Sequence, residues 1–384
     1  MDWKVTLYDL DVGEEEISAV TKVLENRWIS MGAEVTAFEQ EFARMLGHNL
    51  PGAAVNSGTS ALHAAMHALS ISPGDEVLVP SMTFVAGAAS VRMVGATPVF
   101  VDSKSLDDFN IDPVDIRRKI TPKTKAVLIV HYGGYPADMT EIMEIANEHG
   151  IKVIEDVAHG PFINTPLGMA GTVGDIGCFS FFSTKNITTA EGGMLVSKDE
   201  AVLEKARLFR SHYMGVSSWS KHQGRISSYD VVGVGMNYRM TELSGALGRV
   251  QLRKFAANQE KREQVARWYR DQLLGFESLQ IAFVDRDLTS STHHIFPVIL
   301  ASEIDRNTVM EKLKQAGIQT SVHYPACHLF RYYREQLGNR LGECPIAEQI
   351  SGRELSLPMH AAVTQEQVTY VCDQLRVALK EKGQ

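Results

Sequence analysis

Cysteine is scarce in this chain, and the way it is distributed excludes two kinds of site. The four cysteines, Cys178, Cys327, Cys344 and Cys372, lie far apart, and none of them forms a C-x-x-C pair. Their spacing therefore matches neither a zinc-binding motif nor a disulfide framework. We therefore expect no bound metal ion. Because scattered cysteines fit a reducing compartment, we also expect a cytoplasmic protein.

Long apolar runs and a positive net charge are also missing. No stretch approaches the length that a bilayer-spanning helix needs, and the first five residues do not resemble the start of a signal peptide. The net charge of −8 opposes nonspecific binding to nucleic acid, which requires a basic surface. We therefore expect small-molecule substrates, and neither membrane nor nucleic-acid partners.

The chain does contain a regular alternation of predicted strands and helices. Its 384 residues are 44% hydrophobic and 22% charged, which is typical of a soluble enzyme large enough for two lobes. Between residues 53 and 200 the predicted strands are 53–55, 76–80, 97–101, 126–130, 152–155, 178–182 and 193–197. The predicted helices among them are 60–69, 83–94, 112–119 and 138–149. This order predicts an α/β fold whose mainly parallel seven-stranded sheet is covered by helices on both faces.

The rest of the chain predicts a helical start and a second, smaller lobe. Helical periodicity at 13–27 and 33–46 precedes the sheet. Residues 216–231 have no clean period and predict a long loop, which helices at 241–255 and 258–274 follow. Next come predicted strands near 279–284, 294–300 and 318–323 and helices at 305–316, 345–353 and 364–380. We therefore predict a large domain of residues 1–255 and a small C-terminal α+β domain of residues 256–384.

Lys185 stands in the most informative stretch of the sequence, residues 179–196. A short aromatic strand leads into a small polar turn around Lys185, and Gly192-Gly193 opens a second apolar strand. Most lysines are solvated surface residues. A lysine held between two buried strands, however, is partly desolvated, which lowers the pKa of its amine and frees the lone pair for Schiff-base chemistry. We predict that Lys185 is such a catalytic amine.

Asp156 ends a predicted buried strand, at the edge where ligands bind in open α/β sheets. A carboxylate there can pair with the pyridinium nitrogen of pyridoxal phosphate and keep the ring an electron sink. The alternative interpretation is a helix N-cap, because Asp is a favoured cap residue.

A glycine-containing turn, Ser57–Ser60, lies between a short predicted strand and a helix. Gly58 permits a tight turn, and the amides that follow it point out of a helix N-terminus, which is a ready site for a phosphate group. A simple capped helix start is the alternative, since Ser and Thr are common caps. The combination of this turn with Lys185 and Asp156 is more specific than any one of the three.

Five blocks of the sequence together resemble the DegT/DnrJ/EryC1/StrS family of sugar aminotransferases. In chain order they are Asn56–Leu62, Pro80–Phe84, Glu155–Gly160, Phe179–Gly193 and Gly235–Glu242, and the block around Lys185 is the most specific. The resemblance implies an aspartate-aminotransferase-like fold of type I, with pyridoxal 5′-phosphate as the cofactor. It also implies a homodimer.

The same resemblance implies which residues hold the phosphate of the cofactor. Gly58, Thr59, Ser60 and Ser180 would bind it within one subunit. Asn237, in a loop before a helix, would reach the phosphate of the neighbouring subunit.

Further residues would contact the cofactor ring or the substrate. Phe84, at the start of a predicted helix, would stack on the pyridine face, with a core phenylalanine as the alternative. His159 would lie beside the phenolic oxygen, with a buried structural histidine as the alternative. His131 would only support the site. The substrate-binding candidates are Arg239, His323 and Tyr324, although Ala326-Cys327 depart from the family's usual substrate motif.

The resemblance implies an aminotransferase that moves an amino group from glutamate or glutamine to a keto sugar, and it favours a nucleotide-linked one. Lys185 would move a proton as general base and acid, and Asp156 would keep the pyridine nitrogen protonated. One alternative is an aminotransferase acting on cyclitol ketones. Two others are a keto-sugar dehydratase, in which histidine replaces the lysine, and a non-catalytic regulatory protein of the same fold.

Overall fold

The computed structural model describes residues 3–47, 49, 52–214 and 230–380, so nearly all of the predicted loop at 216–231 lies outside the described residues. The helices are α1 (Glu14–Glu25), α2 (Ala33–Met45), α3 (Gly58–Ala68), α4 (Ala86–Met93), α5 (Pro113–Lys119), α6 (Met139–His149), α7 (Glu200–Phe209), α8 (Glu242–Leu273), α9 (Arg306–Gln315), α10 (Arg331–Leu337), α11 (Pro345–Arg353) and α12 (Gln365–Lys380). The strands are β1 (Ala53–Val55), β2 (Glu76–Pro80), β3 (Thr97–Val101), β4 (Thr124–Val130), β5 (Lys152–Asp156), β6 (Asn164–Thr165), β7 (Gly168–Met169), β8 (Ile176–Ser180), β9 (Gly193–Val196), β10 (Leu279–Ile281), β11 (Phe296–Leu300) and β12 (Glu354–Leu357).

The predicted seven-stranded sheet is confirmed. Its strand order is β1-β9-β8-β5-β4-β2-β3. The pairs from β8 to β3 are parallel, and β9 runs antiparallel to both of its neighbours. Strands β4 and β9 are short apolar runs with buried side chains on both faces, as expected in a sheet covered by helices. The chain therefore has the predicted α/β class.

The strand directions bring the predicted site residues to one edge of the sheet. Strands β5 and β8 are parallel and end at Asp156 and Ser180. Strand β1 is antiparallel to β9 and therefore parallel to β8, so its end, followed by the turn at Gly58, lies at the same edge. Gly193, where β9 begins, pairs there with both Val55 and Ser180.

The predicted pair of helices at 241–255 and 258–274 is wrong, because α8 is a single helix of 32 residues. Neither glycine nor proline interrupts residues 249–273, so the sequence offers no helix breaker where we divided it. The early residues Leu252 and Phe255 pack in the core of the large sheet, whereas Val265 and Tyr269 pack against the small sheet. The domain division at residue 255, which falls inside α8, stays a prediction.

The C-terminal lobe contains a three-stranded antiparallel sheet in the order β10-β11-β12. The predicted strand at 318–323 is wrong, since this segment forms only isolated bridges, Val5 with Ile318 and Ser321 with Ser356. Strand β12 takes the edge of the sheet instead. Gly317 follows α9 with a φ of +79°, a left-handed conformation that glycine commonly adopts just after a helix.

No helix within the described residues has the length and apolar character needed to cross a bilayer. All four cysteines are buried free thiols. The cytoplasmic location that we expect from the cysteine distribution stays a prediction.

Candidate active site

A cavity of about 320 Å³ opens at the sheet edge where β5 and β8 end. Nine of the twelve predicted site residues line it, namely Gly58, Thr59, Phe84, Asp156, His159, Ser180, Lys185, His323 and Tyr324. Ser60, Asn237 and Arg239 do not. The meeting of residues from both lobes in one cavity is a finding, whereas their contacts with a cofactor stay predictions.

Lys185 lies in a turn whose ends are tied to the sheet. The N–H of Lys185 donates to the carbonyl of Phe182 at 2.9 Å, and the N–H of Thr189 donates to the carbonyl of Phe181 at 2.9 Å. Burial lowers the pKa of the Lys185 amine to about 8, although the nearby Asp156 carboxylate opposes this shift. The amine is therefore far easier to deprotonate than that of a solvated lysine.

His294 contacts the Lys185 amine, with 3.4 Å between Nε2 and Nζ. Asn186 fixes its tautomer: the amide of Asn186 donates to the carbonyl of Thr292 at 2.8 Å, so its Oδ1 faces Nδ1 of His294 at 3.0 Å. Nδ1 must therefore carry the proton, which leaves Nε2 as an acceptor for the lysine. Burial and the charge of Lys185 lower the pKa of His294 well below its usual range, so the ring is neutral.

Asp156 points into the cavity from the end of β5. Its Oδ1 accepts the N–H of Ala158 at 3.0 Å. Burial raises the pKa of the Asp156 carboxyl, and the Ala158 N–H, Lys185 and His131 partly offset the rise. The N-cap alternative does not hold, because residues 157–198 contain no helix for Asp156 to cap.

The turn after β1 presents free backbone donors to the cavity. Ser57 caps α3, and its hydroxyl accepts the N–H of Ser60 at 3.0 Å. Among the described residues, the N–H groups of Gly58 and Thr59 donate no hydrogen bond. A Cβ on Gly58 would lie 2.8 Å from Cβ of Ser180, so only glycine lets α3 approach β8 this closely.

Ser60 lies behind this turn, although its sequence position suggests a phosphate ligand. Its hydroxyl donates to Oδ1 of Asn56 at 2.6 Å and lies 2.8 Å from the hydroxyl of Ser57. Ser60 therefore braces the turn, and its direct contact with a phosphate stays a prediction.

Phe84 covers the mouth of the cavity, with 57% of its surface exposed. The core-phenylalanine alternative is therefore wrong. Phe84 precedes helix α4 instead of lying within it, because the helix begins at Ala86 and not near residue 83 as predicted. Its ring centroid lies 5.9 Å from that of Tyr324, so two aromatic rings stand at one side of the cavity.

His159 is held by both of its ring nitrogens. Nδ1 accepts the N–H of Gly133 at 3.2 Å, and Nε2 lies 2.9 Å from the hydroxyl of Tyr324. The proton therefore sits on Nε2 and is donated to Tyr324. Burial and the charge of Lys185 lower the pKa of His159 well below its usual range, so this histidine is a neutral part of the cavity wall.

His131 is fully buried outside the cavity lining, and its Nε2 lies 3.2 Å from Glu155.

Asn237 is exposed, and its backbone bridges to Ser211. Arg239 is partly buried and bridges to Val55. Neither Asn237 nor Arg239 lines the cavity of its own chain.

Sequence reasoning missed His294 and Glu354. His294 follows a second histidine just before the apolar strand β11, and this position carries no motif. Glu354 precedes the segment Leu355–Pro358 and hydrogen-bonds behind the cavity wall. Only the packing of the small lobe against the sheet edge identifies these two residues.

No group of three or more His, Cys, Asp or Glu side chains in the described part of the chain is arranged to hold a metal ion.

Comparison with known proteins gives relatives along nearly the whole chain. The spore coat polysaccharide biosynthesis protein SpsC of Bacillus subtilis is 37% identical over 375 residues, which cover 96% of this chain and 95% of SpsC. The putative sugar aminotransferase Spr1654 of Streptococcus pneumoniae, solved in its PMP form, superposes with a TM-score of 0.90 at 27% identity, covering 97% of this chain and 98% of that one. DesI, solved in the presence of its TDP-sugar product, superposes with a TM-score of 0.87 at 28% identity, covering 99% of this chain and 93% of that one.

The match to a family is equally extensive. Residues 10–376 match the model of one aminotransferase family. This chain is an aminotransferase that belongs to the DegT/DnrJ/EryC1/StrS aminotransferase family.

Proposed function

We propose that this chain uses pyridoxal 5′-phosphate to transfer an amino group from glutamate or glutamine to a nucleotide-linked keto sugar. One observation carries the proposal. The amine of Lys185, the carboxyl of Asp156 and the free N–H groups of Gly58 and Thr59 face a single cavity.

The residues of the cavity fit the cofactor in three places. The N-terminus of α3 offers unpaired N–H groups and a partial positive charge to a phosphate, with the Ser180 hydroxyl beside them. Asp156, held deep at the end of β5, would pair with the pyridine nitrogen. Phe84 offers an exposed flat ring at the cavity mouth for stacking.

The cofactor, when bound, supplies the electron sink that labilises the bond to the α-proton of the amino donor. The chain supplies the proton transfers. Lys185 has an amine of lowered pKa, which suits a general base that must later return the proton. His294 accepts a hydrogen bond from this amine and so directs it.

The family and one relative support the acceptor that we propose. DesI was solved with a TDP-sugar product. The dehydratase alternative requires histidine where this chain has Lys185. These two points favour amination of a nucleotide-linked keto sugar.

The functional unit in this proposal is an isologous homodimer. Val231, Val232, Val234 and Met236 are exposed apolar residues just before Asn237, and 86% of the Val234 surface is accessible. Such a patch favours burial against a partner. A two-fold axis beside it would carry the exposed Asn237 toward the other subunit's cavity.

Spectroscopy of the purified protein tests the proposal. We expect a visible cofactor band that glutamate or glutamine abolishes and that a keto-sugar nucleotide restores, with release of the amino sugar. Borohydride reduction followed by peptide mapping should label Lys185, and Lys185→Ala should show neither the label nor turnover.

Three results would contradict parts of the proposal. Label on another lysine would refute the role of Lys185. Restoration of the band by keto cyclitols alone would refute the nucleotide-sugar acceptor. Failure of the protein to bind pyridoxal phosphate would refute the proposal as a whole.

A further inference from the structure

A buried chain of hydrogen bonds runs from Glu354 through Ser356 to His323, which lines the cavity. The Ser356 hydroxyl lies 2.5 Å from Oε1 of Glu354 and 2.8 Å from Nδ1 of His323. Oε2 of Glu354 accepts the backbone N–H of His323 at 2.7 Å. Neither Glu354 nor Ser356 is accessible to solvent. Both residues lie outside the cavity lining, and each is hydrogen-bonded to His323, which belongs to it.

The second nitrogen of the His323 ring remains available. Nε2 of His323 has no hydrogen-bond partner among the described residues, on a side chain that lines the cavity. The backbone of His323 is fixed from two sides, because Glu354 accepts its N–H and the Tyr132 hydroxyl donates to its carbonyl. The ring is thus held with one nitrogen tied to Ser356 and the other free for a ligand.

The protonation state of Glu354 determines which ring nitrogen of His323 carries the hydrogen. If Glu354 is ionised, Ser356 must donate to it, so Ser356 can only accept from Nδ1–H of His323, and Nε2 is a bare acceptor. If Glu354 carries a proton, it donates to Ser356, Ser356 donates to Nδ1, and Nε2 carries the hydrogen. Each state satisfies every group in the chain. The two states differ by one proton, and they present opposite hydrogen-bonding roles to the cavity.

We propose that Glu354 and Ser356 are positioning residues that set the tautomer of His323, which presents an N–H donor to the cavity while Glu354 is protonated and an acceptor once Glu354 ionises. In the donor state His323 binds a hydrogen-bond-accepting oxygen of the substrate. This last step rests on the proposed function. Such an oxygen belongs either to the carboxylate of the amino donor or to the sugar.

Burial of the Glu354 carboxyl makes its protonated state accessible at neutral pH. Burial raises the pKa of Glu354 to about 8, against the effects of the Ser356 hydroxyl, the His323 N–H and the positive charge of Arg306. Tyr132 and Tyr324 also lie within electrostatic reach of Glu354. Burial raises the pKa of both phenols, so neither carries charge in this range.

The ring of His323 itself stays neutral over the same range. Burial and the charge of Lys185 lower the pKa of His323 to about 4. The electrostatic neighbours of His323 also include His159 and His294, whose pKa values burial lowers well below the usual range. A proton that enters the chain near pH 8 therefore resides on Glu354 and not as a second proton on the imidazole.

Nitrogen NMR of the holoenzyme labelled with ¹⁵N-histidine tests the tautomer directly, because protonated and bare ring nitrogens give well-separated shifts. The His323 signals are assigned by their loss in His323→Gln. We expect the Nε2–H form at about pH 6.5 and the Nδ1–H form at about pH 9.5, two conditions that lie on either side of the titration of Glu354.

Glu354→Gln supplies the decisive variant, because its amide can donate to Ser356 but never ionises. We expect this variant to keep the Nε2–H form at both pH values. Glu311→Gln removes an exposed carboxylate from helix α9 and is the matched control, which should titrate like the wild type. Ser356→Ala, which breaks the chain, should abolish the change of tautomer with pH.

The kinetic arm identifies the ligand. For the substrate whose oxygen contacts His323, we expect KM to rise about three- to tenfold above pH 8 in the wild type, the usual effect of one lost hydrogen bond. In Glu354→Gln this rise should be absent. A rise confined to the amino donor assigns the contact to its carboxylate, and a rise confined to the acceptor assigns it to the sugar.

Two outcomes overturn the inference. One is a His323 tautomer that does not change with pH in the wild type, and the other is an identical change in Glu354→Gln. Neither outcome affects the cofactor band or its response to an amino donor, so failure here is distinguishable from failure of the proposed function.

Discussion

Nε2 of His294 accepts a hydrogen bond from the amine of Lys185 across 3.4 Å, although 109 residues separate the two in sequence. The contact joins the turn after β8 to the segment that leads into β11 of the C-terminal lobe. Asn186, next to Lys185, holds the other nitrogen of the same ring. The reactive amine is therefore oriented by the small lobe as well as by its own turn.

The first prediction concerns the pH at which Lys185 becomes reactive. Only the neutral amine is a nucleophile, and a pKa of about 8 means that its neutral fraction rises as the pH increases through 8. We expect the rate at which the apoprotein recaptures pyridoxal phosphate covalently to rise with pH, with a midpoint near 8. Stopped-flow absorbance measures this rate. An ordinary solvated lysine would give a midpoint above about 10. Such a midpoint would show that the amine is not desolvated.

The second prediction is that Asp156→Asn keeps the cofactor and loses turnover. The amide preserves the shape of the carboxyl group but supplies no charge to hold a proton on the pyridine nitrogen. We expect kcat to fall by about 10²- to 10³-fold, as when one preorganised electrostatic partner is removed.

Asp112→Asn is the control for this substitution. Asp112 caps α5 by accepting the N–H of Val114, and asparagine caps helices equally well. Its kinetics should match the wild type. Near-normal transamination by Asp156→Asn would remove Asp156 from its proposed role.

The sheet and the site residues at its edge were predictable from the sequence, because each strand and the residues that follow it are close together in the chain. Each strand is an apolar run followed by a turn, and parallel order then places Asp156 and Ser180 together without further information. His294 and Glu354 were not predictable. Their positions depend on how the small lobe packs against the sheet, which no periodicity encodes. The division of α8 failed for a related reason, since its change of packing partner near residue 255 leaves no break in helical propensity.

The third prediction uses the close packing behind the phosphate turn. A Cβ on Gly193 would lie 2.4 Å from the carbonyl oxygen of Ser57 and 2.9 Å from the nitrogen of Gly58. Gly193→Ala must therefore displace the turn that presents the free N–H groups. With an overpacking cost of about 1–3 kcal/mol, we expect about 10- to 100-fold weaker cofactor binding, measured by titration of the apoprotein.

Gly352→Ala is the matched control, because a Cβ at this position in α11 meets no atom within 4 Å. This variant should bind the cofactor normally and melt at a slightly higher temperature, since alanine favours the helix. Equal cofactor affinity in both glycine variants would mean that the turn does not hold the phosphate.

The fourth prediction tests whether two subunits share each site. Asn237 is exposed and lies outside the cavity of its own chain, whereas Lys185 and Asp156 line it. We expect homodimers of Lys185→Ala to be inactive. Homodimers of Asn237→Asp should also be inactive, because the new negative charge repels the cofactor phosphate in the partner's site. After subunit exchange, a mixed dimer has one site with both defects and one with neither. Because half of the dimers are mixed, about a quarter of wild-type activity should return.

The control pairs two defects that belong to the same cavity. Lys185→Ala mixed with Asp156→Asn leaves every site of a mixed dimer with one defect, so activity should stay absent. Native mass spectrometry verifies that mixed dimers form in both experiments. If the Lys185→Ala and Asn237→Asp mixture contains mixed dimers and remains inactive while each variant folds, Asn237 does not complete the partner's site. Recovery in the first mixture but not in the second would place the phosphate contact of Asn237 across the interface.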